Sequence, residues 1–266
     1  MKTITQDIVS QLKVSDPQSH KGQNGRILII AGSETYHGSL VLALQAASRI
    51  VDMVYVYSSE NNIELLQKLR SDIATFIAVG EKELWNTVEL VDAILIGPGL
   101  EETDTTVEVT KKLLTEYPHK KTVVDATSFW HINPDWLHTN VIAAPHSREF
   151  ENVFECHAQP ECVLKHACEH NCVIVLTGAI DYISDGTDLW ENTTGNVGMT
   201  KGGTGDVLVG VITALVATNE TVLAAQAGAF LCGTAGDRLR ERVGTFYNAE
   251  DVIGELGLVW KEYLDK

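Results

Sequence analysis

The amino-acid sequence predicts an α/β protein with a mainly parallel central sheet and helices on both of its faces. Two observations lead there. Short apolar runs rich in β-branched residues recur from Arg26 to Leu176, and amphipathic or alanine-rich helical stretches separate them. Strands that are apolar along their whole length are buried on both sides, and alternation with helices is how a parallel sheet acquires that cover. A third observation bounds the architecture: 266 residues, 44% of them hydrophobic, suffice for one large domain. No linker, charge block, low-complexity tract or internal repeat divides them, so a single domain over residues 1–266 is expected.

Taken in order, the expected strands are "RILIIAG" from Arg26, "MVYVYS" from Met53, "TFIAV" from Thr75, "DAILIGPG" from Asp92, "KTVVDA" from Lys121, "NVIAAP" from Asn140 and "CVIVLTG" from Cys172. The helical stretch "GSLVLALQAASRIV" follows the first of them, and "TDTTVEVTKKLLTEY" follows the fourth. Beyond the seventh, "IDYISDG" and "TDLWENTT" read as a β-hairpin, and three consecutive helices close the chain. One of these, "TVLAAQAGAFLCGTAG", is apolar and alanine-rich enough to serve as an oligomer interface or as a buried helix.

Charge and leader signals exclude several classes. Against 20 Lys and Arg stand 36 Asp and Glu, a net charge of −16, which disfavours a nucleic-acid partner. A small anionic ligand can still bind in a locally positive pocket. The opening "MKTITQDIVSQLKVSD" has no apolar signal-peptide core, and no run approaches the roughly 20 apolar residues of a membrane span. A soluble protein working in the cytoplasm, with no membrane attachment, is expected.

Five cysteines, four of them between Cys156 and Cys172, do not resemble an extracellular disulfide framework. Within "ECHAQPECVLKHACEHNC" the pairs Cys162 and His166, His166 and His170, and Cys168 and Cys172 are each four apart, so several metal ligands can share a helix face. The cysteine spacings of six, six and four match no zinc pattern, and the run also fits a surface helix leading into the strand at Cys172–Leu176.

In sheets of this kind ligands bind beyond the carboxyl ends of the strands. The turns there are "GSETYHGS", "GPGL", "DATS", "PHSREF" and "TGAID", followed by the loop that opens "NVGMTKGGTGDVLVGVITALV" at Asn196. Four residues from Gly198 to Gly205 are glycine, directly before an apolar helix. The first N–H groups of a helix lack intrahelical partners and carry the positive end of its dipole, so a glycine loop there can close around an anion. Asp206 opposes a bound phosphate, and from the stretch alone it reads equally as a helix cap.

The segments "HKGQNGRILIIAGS", "GPGL", "VVDAT", "PHSREF" and "NTTGNVGMTKGGTGDVLVGVI" resemble, in order and spacing, the NAD(P)H-hydrate dehydratases, a ribokinase-like group of nucleotide-using repair enzymes. The resemblance runs from about His20 to near the C-terminus, and its length is that of the stand-alone form without an epimerase domain. It implies that ADP or ATP, with Mg²⁺, phosphorylates the hydroxyl that hydration has placed on the nicotinamide ring of NADH or NADPH. Phosphate then leaves and the ring double bond returns. Asp206 would be the base, which must stand beside the phosphoryl group being transferred.

The same resemblance assigns the nucleotide to Thr177, Gly178, Asn196 and Lys201 and to the backbone donors of Gly202, Gly203, Thr204 and Gly205. It assigns the hydrated dinucleotide to Ser39, a position usually alanine, and to Gly99, His146 and Asp206. Glu149 would orient Mg²⁺ through water, although a charge at a helix N-terminus explains it equally, and Asp125 is ambiguous in the same way. For His146 the reading without the resemblance is a turn histidine satisfied by a neighbouring carbonyl. A homo-oligomer is implied. Two departures stand out: Thr177 and Gly178 replace the family's Lys-Gly, and "PHSREF" replaces "PHPGEF", bringing in Arg148. Lys201 or Arg148 would then supply the missing cation. Two other readings remain open, a kinase of small hydroxymethyl compounds such as a thiazole alcohol, and a silent nucleotide-binding protein.

Overall fold

A computed structural model describes residues 1–69, 71 and 73–264. The strands are β1 (Lys2–Thr3), β2 (Arg26–Ile30), β3 (Met53–Tyr57), β4 (Ile77–Ala78), β5 (Ala93–Ile96), β6 (Lys121–Val124), β7 (Val141–Ala143), β8 (Val173–Leu176), β9 (Asp181–Ser184) and β10 (Leu189–Asn192). The helices are α1 (Asp7–Ser10), α2 (Gly38–Ala47), α3 (Glu60–Lys68), α4 (Leu84–Leu90), α5 (Asp104–Glu116), α6 (Ala126–Trp130), α7 (Ser147–Phe154), α8 (Pro160–His170), α9 (Thr204–Val216), α10 (Thr221–Val243) and α11 (Ala249–Leu264). All strands join one sheet in the order β1-β10-β9-β8-β7-β6-β5-β2-β3-β4. Pairing is parallel except where β9 meets β8 and β10, the expected hairpin.

The apolar runs are strands because both of their faces are covered. In β2, Ile27 and Ile29 enter one buried cluster with α2, α9, α10 and α11, while Leu28 and Ile30 enter a second with α4, α5, α7 and α8. Alternate residues of a strand point to opposite faces, so a run without polar interruption serves both layers. Burying each such side chain stabilises the fold by about 1.5–3 kcal/mol. Helix α9 is buried at every position from Val207 to Val216, which accounts for an apolar stretch with no polar stripe.

One expected strand shortens, one edge strand is new, and one open alternative is decided. The run "TFIAV" yields only the two residues of β4, both exposed at the sheet edge, where short strands limit stray pairing. At the other edge β1 pairs with β10, a strand too short to leave any pattern in the sequence. The alanine-rich stretch of α10 is buried from Ala224 to Gly233 between neighbouring elements that include α9 and α11, so it is the buried helix and not an interface. Among the described residues no helix is long and apolar enough to cross a membrane.

The cysteine-rich run does not form one helix. Helix α7 ends at Glu155 in the left-handed region, φ 51°, and the chain turns before Pro160 starts α8. That turn brings Cys156 against Cys162 in a disulfide, while Cys168, Cys172 and Cys232 are free thiols. The cysteines thus form one local staple, and neither Cys156 nor Cys162 is open to a metal. Cys172 is buried at the start of β8, where burial pushes its thiol up to about 12.

Candidate active site

The sheet reverses its building direction between β2 and β5, and the turns after β6, β7 and β8, with the start of α9, line a cavity of about 740 Å³. Its wall includes Asp125 after β6, His146 and Glu149 after β7, Thr177 and Gly178 after β8, and Gly203, Thr204, Gly205 and Asp206 at the start of α9. This is the crevice where open α/β sheets bind ligands.

Backbone conformation that only glycine tolerates holds two of these turns. Gly97, at φ +127°, lies against the end of β6: a Cβ there would stand 1.8 Å from the Asp125 carbonyl oxygen. The strand end carrying Asp125 is therefore packed directly on the "GPGL" turn. The next residue, Ala126, holds a positive φ of 47°, the kind of local strain that accumulates at functional sites. Gly203 caps α9 at φ +97°, and a Cβ there would meet Leu42 Cδ1 at 2.5 Å. The first turn of α9 consequently forms part of the cavity wall, and the Thr204 hydroxyl ties the loop together by donating to the carbonyl of Met199 at 2.6 Å.

Asp206 sits in that first turn. Burial pushes its carboxyl up to about 6, and the facing Ser39 hydroxyl offsets part of the rise. Asp125 is raised well above the ordinary carboxylate range, first by burial and then by the charges of Glu149 and Asp206. Glu149 is raised by burial too, although the His146 N–H and imidazole and the Trp130 side chain pull it back. Asp125 thus feels the charges of both other carboxylates, and a carboxylate raised to about 6, as Asp206 is, can accept a proton. Oxygen donors of this kind suit a hard divalent cation, and Asp125 and Glu149 are the wall carboxylates that would hold one.

His146 and Glu149 form a reciprocal cap on α7. The Glu149 N–H donates to His146 Nδ1 at 3.2 Å, and the His146 N–H donates to Glu149 Oε2 at 2.8 Å. The cap turns Glu149 inward to 4% exposure while the imidazole stays at the surface, with the Trp130 ring edge-on to it at 6.2 Å. Glu149 thus serves the helix terminus while lining the cavity, and His146 is satisfied by the Glu149 N–H rather than by the carbonyl expected of a turn histidine.

Of the other expected residues, Ser39 faces Asp206, and Gly99 packs against Ser39, where an added Cβ would be 3.1 Å from the serine Cβ. Thr177 bridges to His146 in parallel register, and its hydroxyl turns back to the Pro145 carbonyl at 3.4 Å. Lys201 departs from expectation. Its ammonium lies over the Tyr247 ring at 5.0 Å and donates to the carbonyls of Thr245 and Gly198, outside the cavity wall. Gly202 also lies outside that wall, as does the exposed Arg148. Among the described residues of the wall there is no Lys or Arg.

Asn196 lines the cavity with its side chain already engaged. Its Oδ1 accepts from the Gly198 N–H at 2.9 Å and the Tyr247 hydroxyl at 2.8 Å, while its Nδ2 donates to Asp237 at 3.0 Å. Asp237 also accepts from the Gly195 N–H at 2.9 Å. Asp237 and Tyr247, which fix the glycine loop, escaped the sequence reading, as did the cavity acid Asp181, raised by burial. The one available signal was an acid directly after the buried stretch of α10.

Comparison with known proteins is consistent along the chain. A family model described as NAD(P)H-hydrate dehydratase matches residues 27–257. The bifunctional NAD(P)H-hydrate repair enzyme Nnr of Methanocaldococcus jannaschii is 35% identical over 261 residues, covering 94% of this chain and 51% of the relative. The ADP-dependent (S)-NAD(P)H-hydrate dehydratase of Nitrosopumilus maritimus is 28% identical over 282 residues, 98% of each chain. The chain spans about half the length of the bifunctional relatives it matches. The solved structure of the ADP/ATP-dependent NAD(P)H-hydrate dehydratase from Bacillus subtilis, co-crystallised with ATP and Mg²⁺, superposes with a TM-score of 0.85 at 26% identity, covering 98% of both chains.

Proposed function

Because this chain belongs to the NAD(P)H-hydrate dehydratase family, we propose that it returns hydrated NADH or NADPH to the reduced dinucleotide, using ADP or ATP as phosphoryl donor. The observation that carries this reading is Asp206, a carboxylate raised to about 6 in the first turn of a helix that lines the same cavity. In the family's chemistry Asp206 takes the proton of the ring hydroxyl as that oxygen attacks the terminal phosphorus of the nucleotide. The bond between that phosphorus and the nucleotide's bridging oxygen breaks, and the nucleotide departs one phosphate shorter. The ring carbon–oxygen bond then breaks with loss of the neighbouring ring proton. Inorganic phosphate leaves and the double bond is restored.

The backbone donors of Gly203, Thr204 and Gly205 stabilise charge as it develops on the transferred group. Ser39 and Gly99 support the ring beside Asp206, and His146 contacts the dinucleotide from the opposite turn. With acids in its wall and no Lys or Arg among the described ones, the cavity suits Mg²⁺ held by Glu149 and Asp125. Bound there, the ion would compensate phosphate charge. We read residues 1–266 as one domain of this activity, acting in the cytoplasm. Its homo-oligomer would meet through surfaces other than α10, such as the exposed Phe246 and Leu258.

Thr177 carries a second reading, a nucleotide-binding protein without turnover, since the cation usual at that position is missing. Incubating the protein with Mg²⁺, ADP or ATP and hydrated NADH separates the two. Turnover regains the near-ultraviolet absorbance of reduced nicotinamide, whereas a silent binder shows only nucleotide-induced thermal stabilisation. Thr177→Lys is expected to lower the nucleotide KM roughly tenfold, since one charge-assisted contact contributes about 1.5 kcal/mol. Initial rates against nucleotide concentration check this, and an unchanged KM would place the nucleotide phosphates elsewhere.

The pH profile follows from Asp206. A base must be deprotonated to act, so kcat/KM is expected to fall as pH drops through about 6, by about tenfold per unit below it. A profile flat through that value would remove Asp206 from the proton transfer.

A further inference from the structure

We propose that α8, at the edge of its buried face, holds a zinc-class divalent metal site formed by His166, Glu169 and His170, separate from the dehydratase cavity. His166 is 7% exposed, yet neither ring nitrogen has a hydrogen-bond partner. A buried, unsatisfied polar ring needs a reason, and the nearest polar groups supply one. Glu169 and His170 lie three and four residues on, so they share the face of His166. One ligand atom from each of the three residues falls within 4.8 Å of the others. Glu169 Oε2 is 3.2 Å from His166 Nδ1, at an angle that makes no hydrogen bond.

Aromatic packing orients the buried His166 ring before any ion arrives. Phe154 stacks on His166 at 4.6 Å and on His170 at 5.7 Å, and the two imidazoles lie within 10° of parallel. Ligands on a tetrahedral zinc ion stand about 3.4 Å apart, a closure within reach of the partly exposed Glu169 and His170 side chains. Two imidazoles and one carboxylate suit zinc, cobalt or nickel rather than magnesium or calcium. Three protein ligands also leave one position for water. Cys162, one turn before His166, is already bound to Cys156. Cys168 lies two residues from His166 and so points off this face. None of the three ligands lines the dehydratase cavity, so the inference does not depend on the reading of that site.

The test is calorimetric titration of the whole chain with Zn²⁺ alone, in buffer holding excess Mg²⁺ to occupy the carboxylates of the cavity. One zinc per chain is expected, with His170→Gln weakening binding tenfold or more and Glu169→Gln severalfold, both without change in dehydratase turnover. His166→Gln can unfold the protein because His166 is buried, so the partly exposed His170 carries the decision. Cys168→Ser is expected to keep full affinity, and Co²⁺ in place of zinc to show d–d absorption without a thiolate charge-transfer band. Absence of stoichiometric binding, binding unaffected by His170→Gln, or a thiolate band lost in Cys168→Ser would each overturn the proposal.

Discussion

Asp206→Asn is expected to leave the protein folded and nucleotide binding intact while slowing dehydration of hydrated NADH by about 10²–10⁴-fold, the contribution typical of a positioned base. The substitution keeps the shape of the side chain and removes only its ability to take a proton. Stability supports the same reading. The carboxyl of Asp206 is raised from 3.8 to about 6, so folding favours its protonated form. The associated stabilisation is present below 3.8 and is lost as pH rises through about 6. At neutral pH the Asn variant is therefore expected to unfold no earlier than the parent, and it relieves part of the repulsion on Asp125. Thermal unfolding beside steady-state rates checks both halves. A variant that is slow because it unfolds early would show that Asp206 is chiefly a structural cap.

The largest stability effect is expected at Gly97→Ala. An alanine there must hold φ +127° with its Cβ 1.8 Å from the Asp125 carbonyl oxygen and 3.2 Å from Ser128 Cβ. Left-handed backbone costs about 1–2 kcal/mol, and forced backbone separation about 1–3 kcal/mol more. The total, about 2–5 kcal/mol, corresponds to a fall in Tm of roughly 5–15 °C. The obstructing atom is backbone, so no rotamer change relieves the contact. The end of β6 has to retreat, taking Asp125 with it, and dehydration is expected to fall even at temperatures where the variant stays folded. A Tm and rate equal to the parent's would mean that the "GPGL" turn and the end of β6 do not touch as described.

Much of this was legible in the sequence because one physical cause produced each signal. Runs such as "RILIIAG" and "CVIVLTG" are apolar without alternation because both sheet faces are covered, and the turns after β6, β7 and β8 line one cavity because strand ends converge on one edge. The glycine before α9 was readable for the same reason: only a residue without Cβ fits at Gly203. What was not legible depends on distant partners. Lys201 looked like a phosphate cation because of its place in the loop, but the Thr245 carbonyl and the Tyr247 ring, both remote in sequence, claim its ammonium. Asn196 is committed to Asp237 and Tyr247 in the same way. The Cys156–Cys162 pairing depends on the left-handed Glu155 and the turn before Pro160, which spacing alone does not encode.

The measurement that bears most directly on the central claim counts products of one incubation: NADH regained by absorbance and inorganic phosphate released, with hydrated NADH, Mg²⁺ and ADP or ATP as the only reactants. The account predicts one free phosphate for each NADH restored and no phosphorylated dinucleotide at completion, for whichever nucleotide works. Phosphate retained on the substrate, or nucleotide bound with neither product formed, would contradict it.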